Sequence, residues 1–196
     1  MKVTALLTVL ASVCAVGAVQ LGLPAADATG LRAGGASAVW NVSRSPKLHV
    51  DVAAGCPASI GADQDVVNTF AGPPLVPPGP KAGLICRYGP SATKPGPAGL
   101  KRQTRLGPAQ AGDLATVVRR LNLTAPSGVT NCPADFGLVA VIGFSYPGRA
   151  DVGLWYQASG CQTLDNGRIG AFEVGNPSFY NGFLSAVDRL SPPVTP

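Results

Sequence analysis

Five cysteines, one histidine, ten carboxylates and fifteen Lys and Arg residues carry the chemistry available to this 196-residue chain. A zinc or thiol-redox site would want C-x-x-C pairs or cysteines joined by histidines. Cys56, Cys86, Cys132 and Cys161 form no such pair, and His49 is the lone histidine. A Ser-His-Asp hydrolase needs a histidine beside an exposed serine. His49 instead falls on the polar side of a predicted strand. Gly143-Phe144-Ser145-Tyr146-Pro147 approaches the nucleophile-elbow pattern, but its closing glycine is missing and Ser145 falls inside a strand. Paired carboxylates run glycoside hydrolysis. Here Asp51, Asp63, Asp65, Asp113, Asp135, Asp151, Asp165, Asp188 and Glu173 fall mostly at turns or helix starts, where carboxylates cap backbone groups. Asp63-Gln64-Asp65 opens like a calcium loop, yet the rest of the loop is absent. No phosphate-binding Gly-rich loop occurs. The residues therefore define no catalytic constellation, and neither a metal nor a cofactor is expected.

Binding is the chemistry that remains. Lys101, Arg102, Arg105, Arg119 and Arg120 offer a basic patch, within a net charge of +5. Nucleic-acid binding would want more charge and interleaved aromatics. An anionic component of the cell envelope, or a protein, is the expected partner. Trp155 alternates against Val152, Leu154 and Tyr156, so it points to the opposite face of its strand. If helices cover one face alone, Trp155 stands exposed and, with Lys101, Arg102 and Arg105, forms the candidate ligand contact.

The start of the chain sets the compartment. Met1-Lys2 precedes Val3–Val19, an uncharged apolar stretch, and Ala26-Asp27-Ala28 follows. A short basic start, an apolar middle and an A-x-A end are the parts of a secretory signal peptide. Residues 1–28 are read as that signal, cleaved after Ala28, leaving no stable membrane span. Cys14 lies inside the apolar stretch, but Val13 is a poor residue before a lipid-modified cysteine. The four remaining cysteines are then an even set in an exported chain, which implies disulfides. Three pairings exist. Spacing favours Cys56–Cys86 and Cys132–Cys161, each within one local unit. Each would close a loop worth about 3–4 kcal/mol in the chain-entropy account.

The elements that must position these residues follow from periodicity. Thr29–Pro46 reads as a flexible leader, and residues 47–192 as one domain with a disordered end at 193–196. Lys47–Val52 alternates as a half-buried strand. Gly72–Gly83 holds five prolines and reads as an extended polyproline loop. Leu84–Tyr88 and Leu100–Leu106 are short strands. Pro108–Asn122 is a helix with Pro108 at its first turn and Ala111, Leu114, Val117, Val118 and Leu121 as its apolar stripe. Gly137–Tyr146 is a central strand. Asp151–Ala158 and Arg168–Val174 complete a meander, with Asn166-Gly167 as a hairpin turn. Asn176-Pro177 opens a second helix, striped by Phe179, Phe183, Ala186, Val187 and Leu190. The expected class is α+β: a three- to five-stranded antiparallel sheet with two amphipathic helices packed on one face, stapled by disulfides.

The order Cys86-Arg87-Tyr88, helix, Asn131-Cys132-Pro133, Phe144-Ser145-Tyr146, Gly160-Cys161, Asn166-Gly167 resembles a group of uncharacterised exported proteins of actinobacteria. The likeness spans residues 54–192. It implies the extracytoplasmic compartment and disulfides, and carries over no functional residue. The expectation is a non-enzymatic binding module of the envelope or secreted fraction. A secreted hydrolase with an unusual carboxylate site is one alternative. An inhibitor of an exported enzyme, with the Gly72–Gly83 loop as its rigid contact, is the other.

Overall fold

The computed structural model describes residues 40–41, 47–61, 65–66, 73–90, 98–125 and 130–195. The expected signal segment, Cys14 and the expected cleavage site at Ala26–Ala28 lie outside the described residues, as do Asp63, Gln64 and the middle of the Gly89–Gly99 loop. In chain order the strands are β1 Trp40–Asn41, β2 Lys47–Leu48, β3 Ser59–Ile60, β4 Asp65–Val66, β5 Ala82–Tyr88, β6 Ala98–Leu106, β7 Val139–Ser145, β8 Val152–Gln157, β9 Thr163–Asp165 and β10 Ile169–Phe172. Helix α1 is Pro108–Arg119. Phe179–Leu184 is a π-helical stretch running into α2, Ser185–Leu190.

Eight strands form one antiparallel sheet in the order β1-β10-β9-β8-β7-β5-β6-β3, while β2 and β4 make a separate parallel pair. The sheet is curled into a half-barrel and the helices are short. This corrects the expected α+β class with a three- to five-stranded sheet. The proline-rich half was read as loops around isolated strands. In fact β5 is a central strand, paired with β6 on one side and β7 on the other, so both halves of the chain share one sheet. Helix α1 carries the chain from β6 across β5 to β7.

The two faces are covered differently. On one, α1, the π-helical stretch and α2 bury Ile85, Leu114, Ile142, Leu154, Phe179 and Phe183. Tyr156 packs edge-on to Phe183 with ring centres 5.1 Å apart. The other face is covered by the segment 48–60, whose Val52 and Ile60 pack with Leu84, Cys86, Tyr88 and Trp155. Lys47–Val52 is therefore not the strand its alternation suggests. Its ladder ends at Leu48, and Val50 and Val52 lie flat over β7. Gly143 permits this, because an added Cβ would stand 2.6 Å from Val50 Cγ1 and 2.9 Å from Val52 Cγ2.

Both expected disulfides are present. Cys56–Cys86 ties the covering segment to β5, with Cα atoms 5.6 Å apart. Cys132–Cys161 ties the approach to β7 to the loop after β8, with Cα atoms 4.7 Å apart. Trp40–Asn41, inside the expected flexible leader, pair with β10 at the sheet edge. The proline-rich run is held to the core by Leu75 and Val76, which are fully buried, and by the Tyr146 hydroxyl, which donates to Pro77 O at 2.9 Å, while Pro78 and Gly79 are exposed. Among the described residues no helix is long and apolar enough to cross a membrane.

Candidate functional site

Register across the sheet builds the site. Arg102 on β6 stands opposite Arg87 on β5, Arg87 opposite Ala140 on β7, and Ala140 opposite Tyr156 on β8. Residues directly opposite one another share a face, and adjacent strands lie about 4.8 Å apart. Arg87 and Tyr156 thus flank a row position filled by the small side chain of Ala140, on the helix-covered face. A cleft of about 250 Å³ is lined by Arg87, Leu138, Tyr156, Gln162, Leu184 and Asp188 among others. Pro193 and Val194 of the C-terminal segment also line it.

Arg87 is the unusual member. It is 2 % exposed, in a strand whose neighbours are apolar. A buried cation needs a partner and full hydrogen bonding. Helix α2 supplies the first. Arg87 Nη2 donates to Asp188 Oδ1 at 2.6 Å and to Ser191 O at 2.5 Å. The hydrogen bonding is incomplete, because Arg87 Nε is buried with no partner among the described residues. Gln162 adds a second vacancy. Its Nε2 donates to Ala158 O at 3.3 Å, while its buried Oε1 accepts nothing. Burial pushes the Tyr156 phenol well above its ordinary pKa; Asp188 adds to the rise, Arg87 opposes it, and Glu173 adds a smaller share. Tyr156 is therefore a neutral hydroxyl at any physiological pH.

The residues singled out from sequence fall in three places. Trp155 is 2 % exposed in the core under the 48–60 segment, so the expected exposed aromatic contact is not formed. The expectation assumed one uncovered face. Arg105 points to that same face and donates to Val52 O at 2.8 Å and Ala53 O at 3.2 Å, pinning the covering segment. Lys101 and Arg102 are exposed. The register slips between Arg87 and Tyr88, leaving Lys101 as an extra residue in β6. Both cations then line a shallow depression of about 530 Å³ beside Pro193 and Val194.

Asp188 was missed as a site residue. It was counted among carboxylates that cap turns, which is what Asp51 and Asp135 do. The available signal was Arg87, a cation amid the apolar residues of Leu84–Tyr88, which demands a carboxylate from elsewhere. Among the described residues no cluster of three His, Cys, Asp or Glu could hold a metal ion. Compared with known proteins, the chain matches no protein family, no curated protein and no solved structure.

Proposed function

We propose that this chain is an exported, disulfide-stapled binding module that takes a small ligand in the cleft at Arg87. The observation that carries the reading is the incomplete pairing of Arg87. Arg87 is a buried guanidinium among the residues that line a cleft, and its Nε–H has no partner among the described residues, a costly feature for a core. The apolar walls and few polar groups fit the usual make-up of small-molecule sites. Asp188 is the one carboxylate among the described residues lining the cleft, and Arg87 already holds it. Glycoside hydrolysis needs two carboxylates, so binding is favoured over hydrolysis. The buried Leu75 and Val76 likewise argue against a projecting inhibitory loop. Export rests on the N-terminal sequence pattern and is supported by the two disulfides.

The test is a thermal-shift screen of a fragment library against the exported, disulfide-intact protein and its Ala158→Phe variant. Ala158 lines the cleft and is half-buried at the edge of the core, so a phenyl group there takes up cleft space. A fragment at 100 times its Kd should stabilise by about 2.7 kcal/mol. The reading expects hits that shift the wild type and not the variant. Hits that shift both equally, or no hits, would contradict it.

A further inference from the structure

Consecutive residues of a strand ordinarily point to opposite faces of the sheet. Lys101 and Arg102 do not. Leu100 stands opposite Tyr88 and belongs with it to the core beneath the 48–60 segment. Lys101, the next residue, therefore faces the other way. Arg102 would alternate back, but the register slips between Arg87 and Tyr88, and Arg102 stands opposite Arg87. Arg87 reaches α2 through Asp188, so Arg102 shares the helix-covered face with Lys101. The extra residue in β6 thus sets two cations side by side on one face, the re-aiming that a β-bulge performs. Gly89 makes room for the first. A Cβ there would stand 2.4 Å from Lys101 Cε and 3.0 Å from Lys101 Cγ, so the lysine stem lies across a position that glycine leaves open. Both cations are exposed, and neither side chain has a hydrogen-bond or ion-pair partner among the described residues. They line a depression of about 530 Å³ together with Pro90, Pro193, Val194 and Thr195. That lining holds no carboxylate, so the two charges stand unopposed.

We infer that this depression holds the phosphate of a phosphomonoester, with Lys101 and Arg102 on its oxygens and the body of the ligand against Pro90, Pro193 and Val194. A carboxylate carries one charge and is satisfied by one guanidinium fork. A phosphomonoester brings three terminal oxygens and a charge of about −2 at neutral pH, which two cations match. Arg102 supplies the planar fork and Lys101 the point charge. The apolar residues of the lining favour an ester over inorganic phosphate. A soluble organic phosphate and a lipid phosphomonoester share this chemistry. The site uses neither Arg87 nor Asp188, so it stands or falls apart from the cleft reading above. Binding lost in Lys101→Met reports the depression, whereas binding blocked by Ala158→Phe reports the cleft. Phosphate esters are therefore kept out of the cleft screen.

The test titrates phenyl phosphate, benzoate and inorganic phosphate into the disulfide-intact protein by calorimetry. Phenyl phosphate should bind at least about tenfold tighter than the other two. Lys101→Met and Arg102→Met, both at exposed positions, should each weaken it by about tenfold. Gly89→Ala keeps every charge but puts a methyl where the Lys101 stem lies, and should weaken binding severalfold. Arg120→Met removes an exposed cation that does not line the depression, and should leave binding unchanged. An equal loss in Arg120→Met, or no loss in Gly89→Ala, would overturn the inference by reducing it to attraction by net charge. Benzoate or inorganic phosphate binding as tightly as phenyl phosphate, or no binding of phenyl phosphate, would also overturn it. Flotation with phosphatidylcholine vesicles, with and without phosphatidic acid, then separates the two sources of the ester. Capture by phosphatidic acid that Lys101→Met abolishes identifies a lipid headgroup, and phenyl phosphate binding without capture identifies a soluble ester.

Discussion

Arg87 and Asp188 are unequal partners. Arg87 has a side chain 3 % exposed, whereas that of Asp188 is 42 % exposed. Removing either breaks the same bond, but what remains differs. Asp188→Ala leaves a guanidinium sealed in the core with no carboxylate. Loss of one partner of a buried pair costs about 3–5 kcal/mol, and the exposure of Asp188 discounts this to about 2–3 kcal/mol. Arg87→Met leaves a carboxylate that water can reach, and a thioether stem that still fills the space. It should cost less than Asp188→Ala, by urea unfolding monitored with circular dichroism. Equal losses, or a larger loss for Arg87→Met, would mean that the pair is not buried as described. Arg87 was visible in the sequence as a cation in an apolar strand. Its partner was not, because Asp188 lies 101 residues away and is brought to it by α2 packing on β5. Trp155 was misread for a related reason. Alternation gives the face of a strand, but what covers that face is decided by distant chain.

The distant chain in question is the segment 48–60. Besides the pairing of β3 with β6, its hold on the sheet includes the Cys56–Cys86 bond, the Arg105 donations to Val52 and Ala53, and close packing of Val50 and Val52 over Gly143. Gly143→Ala places a methyl within 2.6 Å of Val50 Cγ1, so something must shift. Overpacking of this kind costs about 1–3 kcal/mol. Val50→Ala in the same chain should recover part of that loss, a non-additivity expected of residues in contact. Simple additivity in denaturant unfolding of the double variant would place Val50 elsewhere. The elements themselves were largely legible where period and punctuation agreed. Pro108 at the first helical turn and the stripe through Ala111, Leu114 and Val118 place α1, and Gln110 Oε1 accepts from Gly107 N at its start. Asn166-Gly167 places the β9–β10 turn, where Asn166 Oδ1 accepts from Ile169 N at 3.0 Å. The strand count was not legible, since β1, β3 and β9 are two or three residues long and pair by register alone.

At the scale of the whole molecule, the two faces of the sheet each hide a tyrosine-bearing core. Burial raises the pKa of Tyr88, Tyr146 and Tyr156 well above the ordinary value. The unfolded chain releases these protons near pH 10 while the folded protein keeps them. Below that pH both states bind the same protons and stability does not depend on them. Above it the unfolded state is favoured, by up to about 1.4 kcal/mol per pH unit for each phenol. Stability should therefore fall steeply above about pH 10, and phenolate absorbance from these three should appear together with loss of ellipticity. Phenolate absorbance rising while ellipticity holds would contradict their burial. Reduction should act on the same cooperative unit. Each bridge closes a long loop, and replacing either cysteine pair with serines should cost about 3–4 kcal/mol in thermal or urea unfolding. Spacing alone gave this pairing, because each bridge joins neighbours within one half of the chain.

Arg87, incompletely paired and lining the cleft, is the proposed ligand contact. The most direct measurement is the nitrogen-15 resonance of the Arg87 Nε–H in the disulfide-intact protein, followed across a fragment library. The account predicts a separate, slowly exchanging Nε–H signal that shifts with every fragment whose binding Ala158→Phe abolishes. Fragments that occupy the cleft and leave that signal unmoved would contradict it.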